Sequence, residues 1–170
     1  MTEPSRVDVE QSVVYSAVVA RLRTALGLTD RQCYEVTDPN AAPILPTGGD
    51  CILTVSPGSG GFVDEEQVIG NTTEFTEVIV SGYTRIRTDS TNSDKFLLLD
   101  EQRGLFAIKK KILKALVGQD LEDTEGNKFL RQVCFATRAD VPQMVERNDT
   151  GNIYGCIRVT FGVMFDWDLT

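Results

Sequence analysis

The sequence holds 170 residues, 41% hydrophobic and 25% charged, which is enough for one domain with a sizeable core. Its formal net charge of −8 argues against a nucleic-acid binder that neutralises phosphates, and against docking on an anionic membrane. There is no histidine, so Ser-His-Asp and Cys-His catalysis are excluded, along with the commonest general base near neutral pH.

The first residues, MTEPSRVDVEQ, are polar and acidic and lack the basic start and apolar stretch of a secretory signal. No apolar run approaches the roughly 20 residues that span a bilayer. The expectation is a cytosolic product, a single domain over residues 1–170, with no membrane partner. Cys33, Cys51, Cys134 and Cys156 lie far apart with no C-x-x-C pair, so free, mostly buried thiols are expected and no metal site.

In chain order, DVEQSVVYSAVVARLRTALG reads as an amphipathic helix. Val14, Val18, Leu22 and Leu26 recur every fourth residue, flanked by Val13, Ala17 and Ala25. Asp8 is placed to cap its start, and Gly27 suits the left-handed position after its end. The stretch TDPNAAPILPTGGD is dense in turn formers and reads as an irregular excursion. CILTV, Cys51 to Val55, reads as a short buried strand closed by SPGSGG. From Phe62 to Asn71 the chain is acidic and loop-like, with Val63, Val68 and Ile69 as isolated apolar points.

TEFTEVIVSGYTRIRTD alternates as a strand, with Val78 and Val80 on one face and Glu77, Ile79 and Ser81 on the other. Gly82 inside it suggests a bulge or a close backbone approach. STNSD is a turn. In KFLLLDEQRGLFAIKKKILKALVG a second helix carries the stripe Leu105, Ile108, Ile112, Leu116, with Lys109, Lys110, Lys111 and Lys114 largely off it. Asp100 is its expected cap, with Glu101 in the first turn, and Gly118 its end. A third strand runs from Phe129 to about Arg138, stopped by Pro142, and ERNDTGN turns into the last strand. There Ile157, Val159, Phe161, Val163, Phe165, Trp167 and Leu169 share one face. Chain ends usually fray, so a pattern this regular implies that the terminus carries core residues. The order helix, strand, long strand, helix, strand, strand predicts an α+β fold. Two helices pack on one face of a mainly antiparallel sheet, with long loops or a hairpin extending from it.

No stretch carries the pattern of a reactive site. SPGSGGF lacks the lysine of a phosphate cradle, and DSTNSD lacks the ligand order of a calcium loop. The carboxylates of DEEQ and DLEDTE are neighbours in loops, and the lysines of IKKKILK form the wet face of a helix. No catalytic residue, metal or cofactor is therefore expected, and function falls to assembly or binding. The long connections around Asp38–Pro46 and Pro57–Asp89 fit that expectation.

The texture resembles the tail terminator (tail-completion, or neck) proteins of tailed bacteriophages. The likeness rests on five stretches, taken in order. SVVYSAVVARLRTALG leads into CYEVTDPNAAPILPTGGDCILTVSPG. TEVIVSGYTRIRT then precedes LFAIKKKILKALVG, and IRVTFGVMFDWDL closes the chain. The resemblance implies a six-membered ring of identical subunits that caps the tail tube and meets the head-completion or neck proteins. DNA passes through such a ring without being held, and acidic walls suit passage because they repel phosphate. It places the protein in the virion, at the tail or neck, assembled in the host cytoplasm. Under this reading Phe62, Val63, Val68, Ile69, Phe75, Ile79, Arg85 and Arg87 form a subunit or tube interface, and strands near Glu74–Asp89 or Ile153–Leu169 supply a sheet edge to the next copy. Another connector of the particle (a head-tail stopper, a tube or a baseplate subunit) and a soluble binding adaptor remain as alternatives.

Overall fold

A computed structural model of the chain describes residues 9–40, 51–63, 72–85, 101, 104–147 and 152–167. The elements are α1 (Gln11–Leu26), β1 (Cys33–Glu35), β2 (Cys51–Phe62), β3 (Thr73–Arg85), α2 (Leu105–Leu116), β4 (Leu130–Ala139), β5 (Gln143–Arg147) and β6 (Asn152–Asp166). They form the expected α+β architecture, with one sheet in the order β1-β2-β3-β6-β4 and β5 also paired to β6. All pairings are antiparallel except β1 with β2.

The last strand is ordered because it is central. On one side β6 pairs with β3 along its length, from Arg85↔Tyr154 to Thr73↔Asp166. On the other side β4 takes Val159–Phe165 and β5 takes Asn152–Cys156. Its Ile157, Val159, Phe161, Val163 and Phe165 are all buried, and Trp167 packs at the margin. Leu169 lies outside the described residues.

This arrangement corrects one expectation. Neither β3 nor β6 offers an edge to another copy, because both sides of each are paired within the subunit. The edges belong to β1 and β2, and to β4 and β5.

The helices pack as their stripes predict. Val14, Val18 and Leu22 of α1, and Leu105, Ile108, Ile112 and Leu116 of α2, are buried against Leu53, Val55, Val78, Val80 and the inward row of β6. Each such side chain contributes about 1.5–3 kcal/mol on burial. Leu26 is only partly buried. Gly27 closes α1 with φ of 64°, and Gly118 follows α2 with φ of 72°. The starts differ from expectation. Glu10, with no side-chain cap bond, precedes α1, whose entry is set instead by Val9, which donates its N–H to Asp166 O at 2.9 Å. Gly104 precedes α2, so Glu101 stands before the helix rather than in its first turn. Asp8 and Asp100 lie outside the described residues, as do STNSD, 64–71 and 41–50.

Gly82 is a close approach, with the ladder continuous on both sides. A Cβ there would stand 2.4 Å from Ile108 Cγ2 and 3.3 Å from Leu53 Cδ2, so this glycine lets α2 settle onto the sheet.

SPGSGG is the largest departure. It does not close the strand: β2 continues to Phe62, pairing with β3 across a register shift between Pro57 and Gly60. β1 covers only Leu53–Val55, so beyond it β2 is the sheet edge and the missing N–H of Pro57 costs no ladder bond. The backbones crowd here, since a Cβ on Gly58 would meet Glu77 Cβ at 2.8 Å. A proline and a bulge on an edge also discourage pairing with foreign strands. The opposite edge is broken likewise. β4 carries three register shifts, and Pro142 separates it from β5, a strand the sequence pattern did not reveal. β1 was likewise not anticipated.

Candidate assembly surface

Alternation along β3 and β6 gives the sheet a second face, turned away from the helices. Its two ends differ. At one end Ile52, Thr54, Ser56, Ser81, Tyr83, Cys156 and Thr160 are buried, and Arg158 Nη2 donates to Pro39 O at 3.1 Å. Pro39 follows β1 closely, so the chain just after β1 reaches this end. At the other end Phe75, Ile79, Phe135 and Met164 are half-buried.

Gly162 organises the half-open end. It pairs with Glu77 on one side and Phe135 on the other. A Cβ there would meet Phe135 Cζ at 2.6 Å and Phe75 Cε2 at 2.7 Å. The two rings close over the glycine with centroids 6.2 Å apart and planes 25° apart, an offset-stacked arrangement. Glu77 beside them accepts hydrogen bonds from the Ser59 hydroxyl of β2 and from Thr137 Oγ1 of β4, the latter at 3.3 Å. Asp166 at the margin accepts from Arg131 Nε at 2.8 Å and from Thr73 Oγ1 at 2.6 Å. The result is a ribbon of aromatic and aliphatic surface on three hydrogen-bonded strands, with its carboxylates already engaged.

Two of the residues picked from sequence, Phe75 and Ile79, sit together on this face. Phe62 does not join them. It lies opposite Glu74 in register, hence on the other face, and is 64% exposed. Val63 follows it, half-buried, with its N–H donating to Thr73 O. The backbone of Arg85 pairs with Tyr154 at the far end of β3. Val68, Ile69 and Arg87 lie outside the described residues. Phe135 and Met164 were missed, because nothing local in the sequence says which strand lies beside β6 or in what register. The one signal was Gly162, a gap in an otherwise bulky strand.

A polar cluster sits on the helix side, under the first turn of α1. Glu74 is only 6% exposed. Trp167 Nε1 donates to one of its oxygens at 2.5 Å and Gln11 Nε2 to the other at 3.1 Å. Gln11 also reaches Thr76 Oγ1 at 3.4 Å, which contacts the Tyr15 hydroxyl at the same distance. Burial pushes the Glu74 carboxyl above its ordinary value, and the Trp167 bond opposes part of that. With neutral donors as its hydrogen-bond partners, Glu74 ties α1 to β3 and to the end of β6. The same geometry gives no general acid–base pair.

All four cysteines are free thiols, and three are buried. Burial pushes Cys33 and Cys134 up to about 12 and raises Cys156 as well, which leaves them without thiolate character at neutral pH. No group of side chains suited to a metal ion occurs among the described residues.

No family model matches the chain, and no curated protein matches it. Among solved structures it is similar to a chain from the virion of a native gene transfer agent (GTA) particle, with a TM-score of 0.48 and 17% identity over 92% of this chain and 99% of that one.

Proposed function

We propose that this chain is a structural protein of a tailed-phage virion, the ring-forming subunit that ends the tail tube and joins it to the neck proteins. DNA passes through the ring in transit and is not a ligand. The observation that carries the reading is the half-open outer face: Phe75, Phe135, Ile79 and Met164 held on the β3–β6–β4 platform, with the neighbouring carboxylates occupied. Such a face suits docking to another protein, since its apolar rings lie together beside carboxylates that already have partners. The sequence resemblance supplies the kind of partner, a tube or neck subunit.

Imaging of the particle with this subunit labelled tests the reading. A single ring at the junction of tube and head is the expected result. Copies repeated along the tail would make it a tube subunit, and density at the distal end a baseplate component. Absence from the particle would overturn the structural role altogether.

A further inference from the structure

Among the described residues the sheet edges are interrupted by register shifts in β2 and β4, and the helix layer carries two surfaces that match. The first is a groove of about 510 Å³ between the outward side of α1 and the 122–127 hairpin. Val13, Ala17 and Ala20 give it a small apolar floor, and Glu10, Glu122 and Glu125 stand at its rim. No basic side chain lines it. The hairpin is braced: Asp123 accepts the backbone N–H groups of Glu125 and Asn127, both at 2.8 Å, and the backbones of Glu122 and Lys128 pair as an isolated antiparallel β-bridge. A partner would therefore meet a preformed wall.

The second surface is the outward side of α2. Helical spacing lines up Phe106, Lys110, Leu113 and Val117 on one stripe. Phe106 is 47% and Val117 44% exposed, and Leu113 between them is partly buried against the core. Lys110 and Lys114 are exposed on and beside the stripe. An apolar stripe with lysines thus faces outward from one helix, and an apolar groove with carboxylates opens beside the other. The two do not overlap. α1 and α2 run antiparallel, with Arg21 Nε donating to Ala115 O at 3.2 Å and Leu26 sharing a hollow with Ile108. The groove lies where α1 begins, past the C-terminal end of α2.

We propose that the α2 stripe of one copy seats in the α1–hairpin groove of the next. The surfaces are different parts of one chain, so the contact is heterologous and repeats around a closed ring. Charge complementarity selects the partner's α2 over other apolar helices. This rests on the ring reading above.

Native mass measurement of the full chain, with two charge-reversed variants, tests it. K110E/K114E reverses the stripe, and E122K/E125K reverses the rim. Each alone is expected to abolish the ring mass and leave monomer. Mixed in equal amounts they are expected to restore it, because every junction in an alternating ring then pairs opposite charges, and restoration also shows that both variants are folded. A third variant, F106S, is expected to weaken the ring without charge change. If the parent forms a ring and both reversals keep it, the groove pairing is wrong while the ring reading stands. A parent that stays monomeric at every concentration overturns both.

Discussion

The two faces of the sheet solve the same packing problem by different means. The helix-covered face is built from period-2 aliphatic and aromatic side chains, Val78 and Val80 on β3 and Ile157 to Phe165 on β6, pressed against two helical stripes. The outer face carries Ser, Thr, Glu and Gly among its aromatics. It reaches density by folding rings over Gly162 and by strapping Glu77 between Ser59 and Thr137. The first face is locked because rigid helices cannot yield. The second keeps some freedom because nothing among the described residues covers its Phe75–Met164 end. A tightly packed face and a half-open face are thereby separated by the thickness of one strand.

Removing the chain from Ile157 onward is expected to have the largest effect. It strips the central strand from both its neighbours and deletes a whole core row, so no cooperative thermal transition should remain by circular dichroism. A truncated chain that still melted cooperatively would show that the sheet does not depend on β6.

The next test places the same substitution on each face. Gly82→Ala drives a Cβ into Ile108 and Leu53, and should cost about 1–3 kcal/mol in denaturant unfolding. Gly162→Ala drives a Cβ into Phe75 and Phe135, rings that can swing outward, and should cost roughly 1 kcal/mol or less. Equal costs would mean that the outer face is as tightly held as the inner one, and the contrast drawn here would fail.

Glu74 gives a pH-dependent comparison. Its folded-state pKa is raised, so the folded chain holds that proton more firmly than the unfolded one. The corresponding stability is full below the unfolded value and is lost as pH rises through the folded value. Glu74→Gln should therefore flatten this part of the stability profile and be no less stable than the parent at neutral pH. A variant clearly weaker at neutral pH would show that the bonds from Trp167 and Gln11 need the negative charge more than burial penalises it.

A finer comparison is the coupling between Phe75 and Phe135. A double-mutant cycle to alanine should give an interaction of about 0.5–1.5 kcal/mol. A value near zero would leave the pair as neighbours without mutual support, and would weaken the case for a paired aromatic docking face.

Much of this fold was legible along the chain. The stripes of α1 and α2, the alternation of β3 and β6, the left-handed Gly27 and the tight contact at Gly82 are all local patterns. Each reflects a period or a missing Cβ that any environment of the right class would reward. What escaped were β1, β5 and the outer half of β2. CYE and QMVER are too short to signal themselves, and they become strands only because β2 and β6 offer open backbone groups beside them. SPGSGG reads as a loop by composition, and becomes a strand because it lies on an edge where proline costs nothing and glycine admits Glu77. The candidate surface was less legible than the fold. Phe75 and Ile79 were found, but Phe62 falls on the opposite face, and Phe135 and Met164 needed the register to be known.

By itself the sequence determined which residues are core, where the two helices run, that the inward row of the last strand is buried, and that histidine-based chemistry is absent. Those properties follow from side-chain type and spacing. Only the tertiary structure decided that β6 is central, that the edges are the broken strands, and that Phe75 meets Phe135 across Gly162. These depend on which strand lies beside which, a long-range choice set by the joint burial of several segments and written in no single one of them.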